Sequence, residues 1–100
     1  MPALGIIEVK GYVAAMAAAD AMVKATGVRI VGTPQHNGVF GLFISADDVG
    51  TAKAATDAGA EAAKPHGQVV AVHVIAKPAP EAVKAITNVA NWDGAAPKKS

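Results

Sequence analysis

The sequence predicts an α+β domain in which two helices cover one face of a four-stranded antiparallel sheet. Three observations support this. Residues 28–31 and 39–44 are β-branched and apolar runs that flank a Pro/Asn/Gly-rich connection, the pattern of a β-hairpin. An alanine-rich helical segment lies on either side of the hairpin, and one further strand candidate lies outside each. The resulting order, β-α-β-β-α-β, is the split βαβ arrangement of ferredoxin-like folds.

The first half of the chain predicts a strand followed by a helix. Residues 4–10 form the strand candidate, which Gly11 ends. Residues 12–26 lack Gly and Pro and predict a helix, with Gly27 as its C-terminal cap. The larger apolar residues of this helix recur three or four positions apart and predict one buried face: Tyr12, Met16, Ala19 and Val23.

The second half repeats this pattern in the order helix, then strand. Asp48 is predicted to cap a helix over residues 49–64. Gly59 would weaken that helix by about 1 kcal/mol relative to alanine, so its presence predicts a close packing contact. Residues 68–75 alternate as a strand, with one face formed by Val70, Val72 and Val74 and the other by Val69, Ala71, His73 and Ile75.

The end of the chain predicts a short third helix and a tail. Pro80 suits a first helical position, and Val83, Ile86 and Val89 supply an apolar side. The last ten residues carry Pro, Gly and two lysines and predict a loose tail. We therefore expect a domain over residues 1–90 and a flexible tail over residues 91–100.

The composition is unusually apolar for a small domain. Of 100 residues, 52% are hydrophobic and only 17% are charged, against roughly 25% charged in average domains. A small domain has a large surface relative to its volume, so it needs polar cover. The shortage predicts that other subunits cover much of the surface.

Composition also excludes several classes of partner. A net charge of +1 and an aromatic content of 4% argue against nucleic-acid binding. The first residues lack the features of a signal peptide, and no apolar run approaches the ~18 residues that span a bilayer. The chain contains no cysteine, which excludes disulfides and thiolate metal sites. We therefore expect a cytoplasmic domain that binds neither nucleic acid nor membrane.

No constellation of enzyme chemistry is present in the sequence. The three histidines show no metal-site spacing, and Asp47-Asp48 is better explained as a helix cap than as a catalytic pair. Residues 38–41 lack the Lys-Ser/Thr and the following helix of a phosphate loop. The sequence thus predicts no catalytic residues, no metal and no cofactor.

Four strings in the sequence, taken in order, carry a resemblance to a known family: ALGIIEVKG (3–11), AADAMVKA (18–25), DVG with KAATDAG (48–50 and 53–59), and AVHVI with KP (71–75 and 77–78). Together they resemble the single-domain, hexamer-forming class of bacterial microcompartment shell proteins. This family occurs in carboxysomes and in compartments for propanediol and ethanolamine utilisation. The resemblance covers residues 3–86 in one register.

The resemblance implies a structural role in the shell of a microcompartment within the cytoplasm. Its members form cyclic homohexamers that tile into sheets, with a narrow pore at the six-fold axis through which metabolites pass. Implied partners are the chain itself, other shell proteins, encapsulated enzymes and small metabolites. The alternative hypothesis is an oligomeric ferredoxin-like regulatory protein that binds a small molecule.

The pore residues implied by the resemblance are Gln35, His36, Asn37 and Gly38. Gln35 stands where members often carry lysine, which removes a ring of positive charge. Gly38 matches a serine that constricts the pore, so the wall there would be backbone. Two interpretations of His36 stay open: a ring of histidines that gains charge in mild acid, or a turn residue with no other role.

The resemblance also implies residues at the contact between hexamers. Lys24 falls on the family's edge lysine. Lys77 replaces an arginine that inserts into the adjacent hexamer, and lysine lacks the planar fork of that side chain. Gly27 stands where many members have asparagine.

Overall fold

A computed structural model describes residues 3–82 of the chain, and the predicted tail and the greater part of the predicted third helix lie outside these residues. Residues 80–82 are helical, as the predicted start of that helix requires. The elements are β1 (Ala3–Lys10), α1 (Tyr12–Val23), β2 (Val28–Gly32), β3 (Gln35–His36), β4 (Val39–Ala46), α2 (Val49–Ala63), a 3₁₀ turn (Lys64–His66) and β5 (Gln68–Ile75).

The predicted fold is confirmed. The four long strands form an antiparallel sheet in the order β2-β4-β1-β5, and the two-residue strand β3 adds to the end of β4. In each β-α-β half, one strand of the other half lies between the two strands. That interleaving is the split βαβ arrangement, with β4 and β1 in the centre of the sheet.

The main core lies between the sheet and the two helices. Ile7 and Val9 of β1, together with Leu42 and Ile44 of β4, are buried on this face. Met22 is the largest buried side chain that α1 contributes. The remaining buried helix residues are small, so both helices can lie close to the sheet: Ala14, Ala15, Ala18, Ala52, Ala55, Thr56, Gly59 and Ala63.

The predicted buried face of α1 is wrong. Tyr12 and Met16 are 70% and 61% exposed, and Val23 is 48% exposed. The helix is apolar around most of its circumference, so spacing alone could not show which side faces its own core. Alanine packs against the sheet because it permits the closest approach.

The end of α1 also differs from the prediction. The helix ends at Val23 with Lys24 as its C-cap, rather than at residue 26. Gly27 does adopt the left-handed region, with a φ of +79°, but it lies three residues beyond the cap in the turn into β2. Its carbonyl oxygen accepts a hydrogen bond from the Asp47 amide at 3.1 Å, which joins this turn to the end of β4.

The predicted side of Val69 is wrong because β5 is irregular. The pairing of β1 with β5 shifts between Glu8 and Val9, so Val69 lies opposite Val9 and packs against the helix-covered core. Val72 lies opposite Ile7 on the same face. A β-bulge breaks strict alternation, and the sequence alone does not mark its position.

The N-cap prediction for α2 is confirmed. The Asp48 carboxylate accepts a hydrogen bond from the Thr51 amide at 2.7 Å. This backbone hydrogen bond lowers the pKa of Asp48 below its ordinary value, and a smaller effect in the same direction comes from the Thr51 side chain. The cap therefore contributes its full stabilisation at pH values above the ordinary aspartate pKa. This contribution is lost as the pH falls through the lowered pKa that Asp48 has in the folded state.

The packing reason predicted for Gly59 is present. A Cβ atom added there would lie 2.7 Å from Ile7 Cδ1 and 2.8 Å from Met22 Cγ. Both side chains are fully buried and have little room to move. Gly5 makes the corresponding contact from the sheet, where a Cβ would lie 2.8 Å from Thr56 Cγ2. The two glycines, Gly59 on α2 and Gly5 on β1, thus allow the helix and the strand to lie this close together.

We predict that Gly59→Ala lowers the free energy of unfolding. Alanine gains about 1 kcal/mol of helix propensity, but overpacking a dense core costs typically about 1–3 kcal/mol. The matched control is Gly50→Ala in the first turn of α2, where the added Cβ meets only Asp48 Oδ1 at an ordinary 3.5 Å. Urea unfolding at one fixed protein concentration measures both variants. Equal or higher stability for Gly59→Ala than for Gly50→Ala would contradict the prediction.

Candidate functional site

The four predicted pore residues form an exposed tip at one end of the sheet. Gln35 pairs with Phe40 and His36 pairs with Val39, so the predicted loop carries a short strand of its own. Asn37 and Gly38 close the hairpin with φ angles of +50° and +79°. Two successive positive φ angles are those of a type I′ turn, as the Asn-Gly pair predicts.

Backbone hydrogen bonds fix the tip to the rest of the domain. The Gly11 amide donates to the Gly38 carbonyl at 3.0 Å, which joins the turn to the start of α1. The Gly41 amide donates to the Pro34 carbonyl at 2.8 Å and holds the base of the hairpin. The tip is therefore a fixed projection, with its side chains free to face solvent.

Polar groups at the tip are exposed and close together. His36 Nε2 lies 3.2 Å from Asn37 Nδ2, a hydrogen bond in which the amide donates to a neutral imidazole nitrogen. Protonation of the ring would place two donors in contact, so the asparagine amide would have to turn or separate. A Cβ built on Gly38 meets nothing within 4 Å, so the space beside this residue is open and Gly38 itself offers only backbone groups.

Sequence reasoning missed one cation near the tip. Lys10 pairs with Val39, which in turn pairs with His36, so these three residues form one row across β1, β4 and β3. Side chains that share such a row lie on the same face of a sheet. The predicted loss of permanent positive charge at Gln35 is therefore accompanied by a lysine on β1, two strands away from β3. Only the register of β1 against β4 reveals this.

The three predicted edge residues lie at the opposite end of the sheet. Lys24 and Gly27 belong to the connection from α1 to β2, and Lys77 lies two residues after the end of β5. β2 begins where β4 ends and β1 begins, as the pairs Val28 with Ala46 and Ala46 with Ala3 show. Lys24 is 72% exposed and forms an ion pair of 2.8 Å with Asp20.

The two sets of residues are separated by the length of the sheet. β1 contains eight residues, and at about 3.3 Å per residue its ends lie roughly 23 Å apart. The tip residues lie beyond one end of this strand and the edge residues beyond the other. The domain thus carries different groups at its two ends: the tip at one end, and the edge residues at the other, which we call the outer end.

Exposed apolar side chains form a second feature that the sequence did not locate. On α1, Tyr12, Val13 and Met16 are 61–70% exposed, and Tyr12 packs edge-on against Phe40 with ring centroids 5.3 Å apart. On β5, an edge strand, Val70 and Val72 are also exposed. Such a concentration of apolar surface marks sites where proteins contact one another.

Metal and membrane sites receive no support from the described residues. Within residues 3–82, no cluster of three or more His, Asp or Glu side chains is arranged to hold a metal ion. In the same part of the chain, no helix has the length and apolar character needed to cross a membrane.

Comparison with known proteins decides the family. The model of the BMC domain family matches residues 3–78. The chain belongs to this family. The BMC domain thus covers all seven helices and strands described above, together with Lys77 at the outer end.

Curated relatives of this BMC domain are microcompartment shell proteins. EutM of Salmonella typhimurium is 51% identical over 78 residues, covering 78% of this chain and 81% of that protein. PduA of Citrobacter freundii is 53% identical over 76 residues, covering 76% and 82%. The carboxysome shell protein CsoS1 of Prochlorococcus marinus is 41% identical, covering 86% and 84%. The predicted membership of the single-domain shell class is confirmed.

A solved structure agrees with this BMC fold. A microcompartment protein from Desulfitobacterium hafniense superposes with a TM-score of 0.63 at 26% identity over 93% of this chain. The present chain spans about half the length of that protein, 51%. The family and the curated relatives are structural shell proteins and not enzymes, which agrees with the sequence prediction.

Proposed function

We propose that this BMC domain is a tile of a bacterial microcompartment shell in which six copies form a ring and rings join into sheets. The observation that carries the proposal is the placement of the tip residues and the edge residues at opposite ends of the sheet. If the tip points to a six-fold axis, Lys24, Gly27 and Lys77 necessarily point outward. The curated relatives are shell proteins, which places the tile in a shell in the bacterial cytoplasm.

The exposed apolar surface supports the formation of a ring. Cyclic symmetry repeats one heterologous contact. Each copy must therefore offer two complementary surfaces, one to each neighbour in the ring. α1 runs from the tip end to the outer end and presents Tyr12, Val13 and Met16 along its exposed side. Burying these side chains between copies would explain why a small domain manages with 17% charged residues. The remaining implied partners are other shell proteins and encapsulated enzymes.

The tip supports a pore for small polar metabolites. Six copies would repeat Gln35, His36, Asn37 and Gly38 around a short circumference, so a modest change at each side chain acts six times. The side chains of Gln35, His36 and Asn37 are donors and acceptors of hydrogen bonds, Gly38 adds only backbone, and Lys10 is the cation nearest in register. Histidine is the residue type whose charge can change within the physiological pH range, so the anion preference of a pore ringed by six histidines would depend on pH.

A small-molecule regulator is the second candidate. The face of the sheet opposite α1 and α2 contains an apolar concavity of about 810 Å³, lined in part by Ile6, Phe43 and Ile75, which is large enough for a ligand. Such a regulator would stop at a small oligomer and bind an effector. A tile would form hexamers and extended sheets, so assembly separates the two functions.

We predict a hexamer in solution. Native mass spectrometry at micromolar concentration should give six times the chain mass of 9.9 kDa. The reason is that the exposed apolar side chains of α1 and β5 would be buried between neighbouring copies. Electron microscopy of concentrated protein should then show extended layers. A monomer under these conditions would contradict the ring, and a closed oligomer without layers would favour the regulator.

We predict that Lys24→Ala preserves the hexamer but abolishes sheets, because this side chain lies at the outer end of the domain, opposite the tip. Lys53→Ala is the matched control, since Lys53 is also 72% exposed and forms an i,i+4 ion pair, with Asp57. Exposed pairs of this kind contribute at most about 1 kcal/mol to stability, so neither variant should unfold. Sheets that persist in Lys24→Ala, or that also disappear in Lys53→Ala, would exclude a specific edge role.

We predict that conductance through hexamers in a planar bilayer becomes more anion-selective between pH 8 and pH 5. His36→Ala should remove the change, because it removes the ring of histidines. Lys10→Gln should lower anion preference about equally at both pH values, because it removes one basic side chain from each copy and leaves the histidines in place. A pH response that survives in His36→Ala would show that His36 serves only the turn.

A further inference from the structure

We infer, on the basis of the proposed ring, that Arg29 of one copy forms an ion pair with Glu81 of the next copy. Arg29 differs from the other basic residues of the described chain. It is half-buried, whereas every lysine within residues 3–82 is exposed. A guanidinium stays protonated in proteins, so Arg29 brings a permanent charge into a partly buried position. Charges in such positions are normally paired.

The described part of the chain supplies no partner for this charge. Arg29 forms no ion pair within residues 3–82, in contrast to Lys24, Lys53 and Lys64. Its Nε atom is buried and makes no hydrogen bond. The Ser45 hydroxyl, directly across from Arg29 on β4, is buried without a hydrogen bond too, so it does not serve the guanidinium. A cation in this state gains from an acidic partner outside the described chain.

The position of Arg29 directs it towards a neighbouring copy. β2 is an edge strand, and from Arg29 a row of residues crosses the sheet through Ser45 and Leu4 to Ile75 on the other edge strand, β5. With the tip at the six-fold axis, the strands run outward from that axis, so the β2 edge of one copy faces the β5 edge of the next. Because a row that crosses the strands keeps roughly one distance from the axis, Arg29 meets that edge near Ile75.

Glu81 is the acidic residue that the β5 edge offers there. It follows the end of β5, beyond the buried Pro78, and is exposed without an ion pair within residues 3–82. The other carboxylates of residues 3–82 are either engaged or lie elsewhere: Asp20, Asp57 and Glu61 form ion pairs, Asp48 caps α2, Glu8 lies towards the tip, and Asp47 lies beside the turn into β2 of its own copy. Complementary charge therefore favours Glu81 as the partner.

An arginine and a carboxylate suit a contact that repeats around a ring. The guanidinium offers parallel N–H donors to both oxygens, which fixes orientation as well as distance. Since cyclic symmetry repeats one heterologous contact, the same pair would occur at each junction of the ring. Each copy thus gives Arg29 to one neighbour and Glu81 to the other.

Zero-length cross-linking tests the pairing directly. Carbodiimide joins a lysine amine to a carboxylate in contact with it but does not couple arginine, so Arg29→Lys reveals the pair while it keeps the charge. Because each copy would be linked to the next, denaturing gels should show a ladder of up to six joined chains, at least several-fold stronger than in the parent. Peptide mass spectrometry should place the link between positions 29 and 81. Adding Glu81→Gln should remove the extra ladder, and the matched control Glu61→Gln, on α2, should retain it.

Exchange of the two charges supplies a second measurement without a cross-linker. Arg29→Glu and Glu81→Arg should each lower the hexamer fraction in native mass spectrometry several-fold at one fixed concentration, because like charges then face each other. The combined variant restores opposite charges and should recover the fraction of the parent.

The outcomes separate this pairing from the ring itself. With a hexameric parent, the absence of a ladder in Arg29→Lys would overturn the pairing and leave the ring intact. A link within one chain or to another carboxylate, or a combined variant that recovers no hexamer, would have the same meaning. A monomeric parent would overturn the ring and the pairing together.

Discussion

The close approach of α2 to β1 is the constraint on which the rest of this structure depends. Gly59 on the helix and Gly5 on the strand leave no space for a Cβ atom, and Ile7, Met22 and Thr56 occupy the space around them. A helix so close to the sheet can bury only small side chains, which explains the alanines on its inner face. Apart from Met22, the buried residues of α1 are alanines as well, and Tyr12, Val13 and Met16 have no place in the core. They lie on the outside, where only another molecule can cover them.

The topology was predictable from the sequence because local signals determine it. Asn37-Gly38 encodes the turn that joins the central strands, Asp48 encodes the start of α2, and period-two and period-3.6 patterns encode the strands and helices. The orientation of α1 was not predictable, since a helix that is apolar on nearly all sides gives periodicity no contrast. The side of Val69 was wrong because a bulge in the pairing of β1 with β5 reverses alternation, and bulges leave no reliable mark in sequence.

The candidate site shows the same division between local and long-range information. The four tip residues are consecutive, so resemblance could identify them as one group. Lys24, Gly27 and Lys77 are far apart in sequence, and only the register of the sheet shows that they share the end opposite the tip. Lys10 escaped notice for the same reason, because its proximity to His36 passes through Val39 on a different strand. The pairing of strands thus brings together residues that are far apart in the sequence.

The few charged side chains of this domain lie on its exposed surface. In the described part of the chain, the ion pairs Lys24–Asp20, Lys53–Asp57 and Lys64–Glu61 all lie exposed on the outer sides of helices or in the turn after α2. Exposed pairs of this kind contribute little to stability, so the fold depends on apolar packing and on backbone hydrogen bonds. With few charges to place, the chain leaves much of its surface apolar and carries cations at both ends of the sheet. Lys24 and Lys77 lie at one end, and Lys10 lies at the other end in one row with His36 of the tip. Apolar side chains such as Tyr12 and Met16 lie between the two ends, so the surface suited to contact with another molecule is separate from both sets of polar residues.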